Sequence, residues 1–155
     1  MSIQDAIADL QTKVGTETQV GSWLTITQDQ INQFADATLD HQWIHVDPER
    51  ARAESPFGTA AAHGFLTLSL IPHLTGAVNV GKPRFPGMKM SVNYGLNKVR
   101  FPSPVPVGSK VRARTTLLDF KETKGGLQII NQVTIEVEGQ EKPGCVAETV
   151  SLIYF

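Results

Sequence analysis

The sequence predicts an α+β domain with helices first and an antiparallel sheet second, and three observations carry this. Helical spacing of apolar residues is confined to the first half of the chain. Strict apolar alternation fills nearly everything after Gly87. Between them, Gly64 to Gly81 holds no Asp, Glu, Lys or Arg, which suits a helix buried against that sheet.

The elements follow in order. Ile3, Ala6, Ile7 and Leu10 keep helical spacing over Ser2 to Lys13, and Gly15 ends that helix. Val20, Leu24 and Ile26 share one parity, which predicts a short strand. Thr27 followed by Gln30 has the form of a capping box, and Ile31, Phe34, Ala35 and Thr38 mark the buried stripe of the helix behind it. Asp47-Pro48 opens another helix, with the aspartate as cap and the proline at the first helical position. The intervening LDHQWIHV has neither periodicity and reads as a loop. Gly58 to Thr75 gives one long helix beginning near His63-Gly64, with Pro72 set to kink or end it.

Past Gly87, Met88, Met90, Val92, Tyr94 and Leu96 alternate; Val99 and Phe101 then switch parity, which predicts a bulge near Asn97-Lys98. A second strand runs through Val111, Ala113, Thr115 and Leu117. Gly125-Gly126 turns it into a third through Leu127 to Val137, and Pro143-Gly144 turns into a last strand ending near Tyr154.

Composition narrows the function classes. With 155 residues the chain makes one domain, 1–155, and 41% hydrophobic residues supply a real core. Fourteen basic residues against fifteen acidic give a net charge of -1, without the electrostatic footprint of a nucleic-acid binder. The single Cys145 excludes an internal disulfide or a multi-thiolate zinc site and fits a reducing cytosol. The opening MSIQDAIADL carries two aspartates and no basic run, unlike a signal peptide. Pro72, His73 and Asn79 inside the uncharged run speak against a membrane span. A cytoplasmic protein is expected.

The chemistry-bearing residues are concentrated in that loop, where Asp40, His41, His45 and Asp47 fall within eight positions. A carboxylate and an imidazole, with ordinary pKa values near ~4 and ~6.5, are the usual materials of acid–base catalysis at neutral pH. Three readings stand: a catalytic pair of Asp40 and His45, a solvated loop, or a metal site using His41 and His45. A second constellation is His63-Gly64 at a helix start. There a backbone N–H without an intrahelical acceptor can meet an oxyanion, or Gly64 only eases packing beside a core histidine.

The run DATLDHQWIHVDPERARAESPFGTAAAHGFLTLSL, with NYGLNKVRFPSPVPVGSKVRAR after it, resembles the MaoC-like dehydratase family, including its (R)-specific 2-enoyl-CoA hydratases and its NodN-like branch. The resemblance covers nearly the whole chain from about Gly15 onward. It implies a hot-dog fold, an antiparallel sheet wrapped around a central helix, assembled as a homodimer or larger homo-oligomer. It implies reversible hydration of a trans-2-enoyl-CoA without metal or cofactor. By matching positions, Asp40 and His45 become the catalytic pair and Gly64 the oxyanion donor, with His63 and Gln42 beside the substrate.

Two departures from the family pattern stand out. Gln42 and Trp43 occupy positions where many members have Asn and Pro. The serine that some hydratases carry later on the central helix falls by count near Pro72, with Ser69 one turn away. Candidates for CoA phosphates are Lys82, Arg84, Lys98, Arg100, Arg112 and Arg114. An acyl-CoA thioesterase and a non-catalytic acyl-CoA-binding dimer module are the rival readings, because a fold of this class hosts more than one activity.

Overall fold

In the computed structural model, which describes residues 2–79 and 81–155, the chain begins with α1 (Ile3–Gln11). Ser2 and Asp5 cap it reciprocally: the Ser2 hydroxyl accepts from the Asp5 N–H while the Asp5 carboxylate accepts from the Ser2 N–H. Ala6 and Leu10 are its buried face. The strand expected next is two fragments, β1 (Glu17–Val20) and β2 (Leu24–Thr25). Gly21 follows β1, and a Cβ there would lie 2.5 Å from the Leu74 carbonyl oxygen, so the position admits no side chain.

Helix α2 (Gln28–Thr38) starts as expected, with the Thr27 hydroxyl accepting from the Gln30 N–H; the return bond of a full capping box is not made. The segment expected to be a loop contains a helical turn, α3 (Trp43–Val46), followed by α4 (Pro48–Glu54), which Asp47 caps. Four residues are too few to declare a helical period. The turn forms because the Asp47 N–H reaches back to the Trp43 carbonyl.

The long helix is divided into α5 (Gly64–Ser69) and α6 (Ile71–Leu74). Pro72 does not end it, since Pro72 sits in the first turn of α6, where a missing N–H costs least. The break falls one residue ahead of α6, at Leu70.

The second half is antiparallel sheet: β3 (Met90–Arg100), β4 (Lys110–Thr123), β5 (Gly126–Val137) and β6 (Cys145–Tyr154). The order is β1-β4-β5-β6-β3, with β2 also on β4. The expected irregularity in β3 is present as a register shift between Leu96 and Lys98, with another between Asn93 and Gly95. The β4–β5 hairpin closes through Lys124 and Gly125, so Gly126 already belongs to β5. Gly126 cannot carry a side chain, because the Ile153 carbonyl oxygen fills that space.

Two apolar clusters lie on the inner face of the sheet. One holds Leu66, Ile71 and Leu74 of the helical stretch against Val111, Ala113, Val133, Ile135 and Ala147. The other holds Ala6 and Leu10 of α1 against Leu117, Leu127, Ile129 and Ile153. Each large aliphatic side chain buried here contributes about 1.5–3 kcal/mol. The first cluster fixes α5 on the sheet, and with it the position of His63 and Gly64. No helix among the described residues is long and apolar enough to cross a membrane.

Candidate active site

Helix α2 ends on Leu39 in the left-handed conformation, at φ 64°. A non-glycine residue pays steric strain there, and the surrounding structure must hold it. The reversal sets Asp40 at the start of a new direction. The Asp40 carboxylate accepts the Gln42 N–H at 3.3 Å, which tightens the turn into α3.

Helix α3 then turns His45 inward, where it is buried. Its Nδ1 lies 2.7 Å from the Ala61 carbonyl oxygen, and the Ala61 N–H donates to the Ile44 carbonyl at 3.1 Å. A carbonyl only accepts, so Nδ1 carries the proton and Nε2 of the neutral ring keeps its lone pair. His45 is thereby prepared to take a proton at Nε2. Burial lowers its pKa below the ordinary imidazole value, and the neighbouring His63 lowers it further; the Ala61 carbonyl and Asp40 oppose this.

His63 precedes the first residue of α5 and is 2% exposed. Its ring stacks on His45 with centroids 3.9 Å apart and packs against Phe34 at 4.9 Å. Its Nε2–H donates to the Asp40 backbone carbonyl at 3.0 Å and lies 4.0 Å from the Asp40 carboxylate. Asp40 itself keeps 48% of its side chain exposed, so the buried histidines face a carboxylate open to solvent. One ligating atom from each of Asp40, His45 and His63 lies within 4.8 Å of the other two.

The structure therefore brings Asp40, His45 and His63 together and leaves His41 out. The His41 ring turns to the Asp36 carboxylate at 2.8 Å, so the metal pair of His41 and His45 is not assembled. Asp40, His45 and His63 have spacing that a cation accepts. Each imidazole, however, has one nitrogen committed to a carbonyl, leaving His45 Nε2 and His63 Nδ1 as the available donors.

Gly64 opens α5, and its N–H has no intrahelical acceptor. Six residues make a weak dipole, so any anion held here depends on that N–H itself. Gly64 also has a packing role, since a Cβ would lie 3.1 Å from the Phe101 ring. Gln42 is exposed, and its side chain makes no cap bond; it acts on Asp40 through its backbone N–H. Ser69 bonds its own helix, donating to the Phe65 carbonyl.

Among the basic candidates, Arg112 and Arg114 both donate to Glu136, at 2.6 and 2.7 Å, and Arg114 also reaches Glu17. Arg112 lies over the Trp23 ring at 4.3 Å. These two arginines belong to an ion-paired sheet surface. Spacing in the sequence had no means of finding the Ala61 carbonyl that fixes His45, because a backbone acceptor carries no residue signature. Leu39 likewise gave no sign of its left-handed backbone.

Comparison with known proteins places this arrangement. The family model described as "MaoC like domain" matches residues 9–140. The chain is 52% identical over 147 residues to 3-hydroxyacyl-thioester dehydratase Z of Mycobacterium tuberculosis, covering 94% of each chain. It is 45% identical over 151 residues to Nodulation protein N of Rhizobium meliloti, covering 97% of this chain and 92% of that one. Among solved structures, the (R)-hydratase from A. caviae involved in PHA biosynthesis superposes with a TM-score of 0.66 at 24% identity, over 86% of this chain and 95% of that one. That last likeness is one of fold, the hot-dog arrangement of a sheet around a helix. The carboxylate and stacked imidazoles thus sit in a framework whose matched region takes in α2 through β5, and the chain belongs to the MaoC-like dehydratase family.

Proposed function

We propose that the protein adds water reversibly across the double bond of a trans-2-enoyl-CoA, giving an (R)-3-hydroxyacyl-CoA. The observation that carries this is the fixed tautomer of His45, whose free Nε2 belongs to a ring stacked on His63 beside the Asp40 carboxylate. The dehydratase and hydratase names of similar proteins support the reaction class.

In this reading a water molecule is held between Asp40 and His45. Nε2 of His45 takes its proton as the oxygen bonds to the β-carbon. Electron density moves to the thioester oxygen, which the Gly64 N–H meets. The α-carbon then takes back a proton, so one water is consumed and the site returns to its starting state. A donor aimed at such an oxyanion contributes about 2.7–4 kcal/mol where it has been measured. The thioester supplies the acidity of the α-carbon, so the reaction calls on no redox group. His63 is a positioning residue here: it carries no bond to substrate and holds the Asp40 main chain and the His45 ring.

The active form in this proposal is a homodimer. Strand β3 is an edge of eleven residues that exposes Met90, Val92, Tyr94 and Leu96, and Phe101 follows it. An edge this long and apolar invites pairing, and a second copy of β3 would continue the sheet. The buried, unpaired Cys145 agrees with a reducing cytoplasm.

The test follows the loss of enoyl-thioester absorbance with crotonyl-CoA and longer trans-2-enoyl-CoAs, with product chirality and free thiol read in the same samples. The expected result is (R)-3-hydroxyacyl-CoA, with Asp40→Asn and His45→Gln each slower by roughly 10²–10⁴-fold while circular dichroism is unchanged. Thiol release without hydration would instead establish a thioesterase. Tight binding with neither reaction would establish the non-catalytic module.

A further inference from the structure

A cavity of about 400 Å³ lies at the far end of the helical stretch from His63. Its walls include Leu10 of α1, Ile71 and Pro72 of α6, then Phe85 and Met88, and its floor is the inner face of the sheet. The volume is that of a small-molecule site. None of Asp40, His45, His63 or Gly64 lines it.

The floor departs from the chemistry of the rest of that face. Along β4 the inward residues run Ala113, Thr115, Leu117; along β5 they run Val133, Asn131, Ile129. Thr149 and Ser151 of β6 continue the polar line, and Ser91 and Asn93 extend it to β3. Register makes them neighbours, since Asn131 pairs with Thr149 and Ser151 pairs with Asn93. A band of hydroxyl and amide groups therefore crosses the sheet between the two apolar clusters.

Two members of this band lack partners. Thr115 is 4% exposed and Asn131 is 6% exposed. The Thr115 hydroxyl and the Asn131 carbonyl oxygen make no hydrogen bond among the described residues. Valine and leucine have nearly the same shapes and would complete a continuous core at lower cost. The Asn131 amide turns readily about its last torsion and can offer either end to the cavity.

The rim adds positive charge. Lys82 and Arg84 line it, neither in an ion pair among the described residues, whereas Lys13 is held by Asp9 at 2.7 Å. Arg84 is exposed as a residue, yet protein crowding about its guanidinium draws its pKa down, with Asp9 only partly opposing.

We propose that this cavity binds an oxygenated aliphatic carboxylate. Its hydroxyl or oxo group meets Thr115 and Asn131, its carbon skeleton packs on Leu10, Ile71, Phe85 and Met88, and its carboxylate meets Lys82 and Arg84 at the rim. The oxygenated aliphatic part of that chemistry comes from a free acid or from the distal end of an acyl thioester, and only the free acid brings a carboxylate to the rim.

Calorimetry on the whole protein compares 10-hydroxydecanoate and 8-hydroxyoctanoate with decanoate and octanoate. The hydroxy acids should bind roughly tenfold more tightly than their parents. Thr115→Val and Asn131→Leu should remove that difference while leaving Tm equal or higher. Arg84→Gln should weaken all four acids and flatten their salt dependence. Equal affinity of hydroxylated and plain acids, no binding of any, or a preference untouched by both floor variants would overturn the proposal.

A second arm identifies the source with trans-2-enoyl-CoAs matched in length, with and without a terminal hydroxyl. A turnover preference lost in Asn131→Leu assigns the band to the acyl end, and unchanged turnover beside lost acid binding assigns it to a free ligand. Crotonyl-CoA is too short to report on this cavity. An enzyme silent toward trans-2-enoyl-CoAs of every length would end the hydratase reading and leave the calorimetric result standing.

Discussion

The His45 ring donates its Nδ1–H to the carbonyl oxygen of Ala61, sixteen residues away, at 2.7 Å. Ala61 in turn donates its own N–H to the carbonyl of Ile44, the residue before His45. One backbone segment therefore sets both the tautomer of the ring and the position of the turn that carries it. The same segment leads directly into His63, so the two stacked imidazoles share a single support.

This support gives the pH dependence a definite sign. Burial, reinforced by His63, lowers the folded pKa of His45, so between the folded and unfolded values the unfolded chain binds the extra proton. Stability then rises with pH across that window. The contribution is complete above about 6.5, the ordinary imidazole value, and is lost progressively as pH falls toward the folded pKa. Urea unfolding between neutral and mildly acid pH should show this slope, reduced in His45→Gln. The acid limb of kcat/KM should also lie below the ordinary imidazole range. A limb above that range would show that the residue is not held neutral by burial.

His63→Leu tests the shared support. The substitution keeps bulk against Phe34 and His45 but removes the Nε2–H that holds the Asp40 carbonyl. The expected loss is about 1–3 kcal/mol of stability, read by urea unfolding. A positioning role also predicts a fall in kcat with little change in KM, and a shift of the acid limb upward as the coulombic influence of His63 on His45 disappears. A stability loss with unchanged kcat and pH profile would make His63 purely structural.

Much of this was legible in the sequence, and what was not has physical causes. The alternation along β4 and β5 places Val111, Ala113, Leu127 and Ile129 on one face by parity alone, because side chains in a strand alternate whatever surrounds them. Asp47-Pro48 announced α4 for an equally local reason. The turn from Trp43 to Val46 was hidden because four residues show no helical period, and the Ala61 N–H that holds it through the Ile44 carbonyl is far off in the sequence. The site shows the same division. Asp40 and His45 stand close in sequence, whereas the stack of His45 on His63 exists only after α5 docks on the sheet.

Gly64 and Phe101 should prove coupled. In Gly64→Ala the new Cβ meets the Phe101 ring at 3.1 Å, so the ring must give way. We expect a loss of about 1–3 kcal/mol, the usual cost of overpacking. Phe101→Leu should recover part of it, and a double-mutant cycle should return a coupling of at least about 0.5 kcal/mol. Strict additivity would remove Phe101 as the reason a glycine stands here. Recovery of stability without recovery of activity would separate the packing role of Gly64 from its N–H.

Cys145 should be silent until the protein opens. It is fully buried in the first apolar cluster, and burial pushes its thiol pKa up to about 11. The thiolate is the reactive form, so a disulfide reagent at neutral pH should label the unfolded chain and leave the native one unmodified. Rapid native labelling without loss of secondary structure would contradict the burial. Cys145→Ser should destabilise by about 1–3 kcal/mol, because it places a hydroxyl in a buried apolar cluster.

The last prediction concerns the edge strand. Val92 and Leu96 are 39% and 46% exposed on β3, and Tyr94 between them is 67% exposed. All three lie on a strand whose far side is already paired to β6, so added charge there costs the isolated chain little. If a second copy covers the strand, Val92→Lys with Leu96→Lys buries two like charges close to their symmetry mates, and the dimer should dissociate. Sedimentation should then report a monomer that keeps the circular dichroism spectrum of the parent. Hydratase activity should fall along with the dimer and recover as protein concentration is raised. A charged variant that remains dimeric and fully active would place the interface elsewhere, and a parent protein that is monomeric while active would end the homodimer proposal.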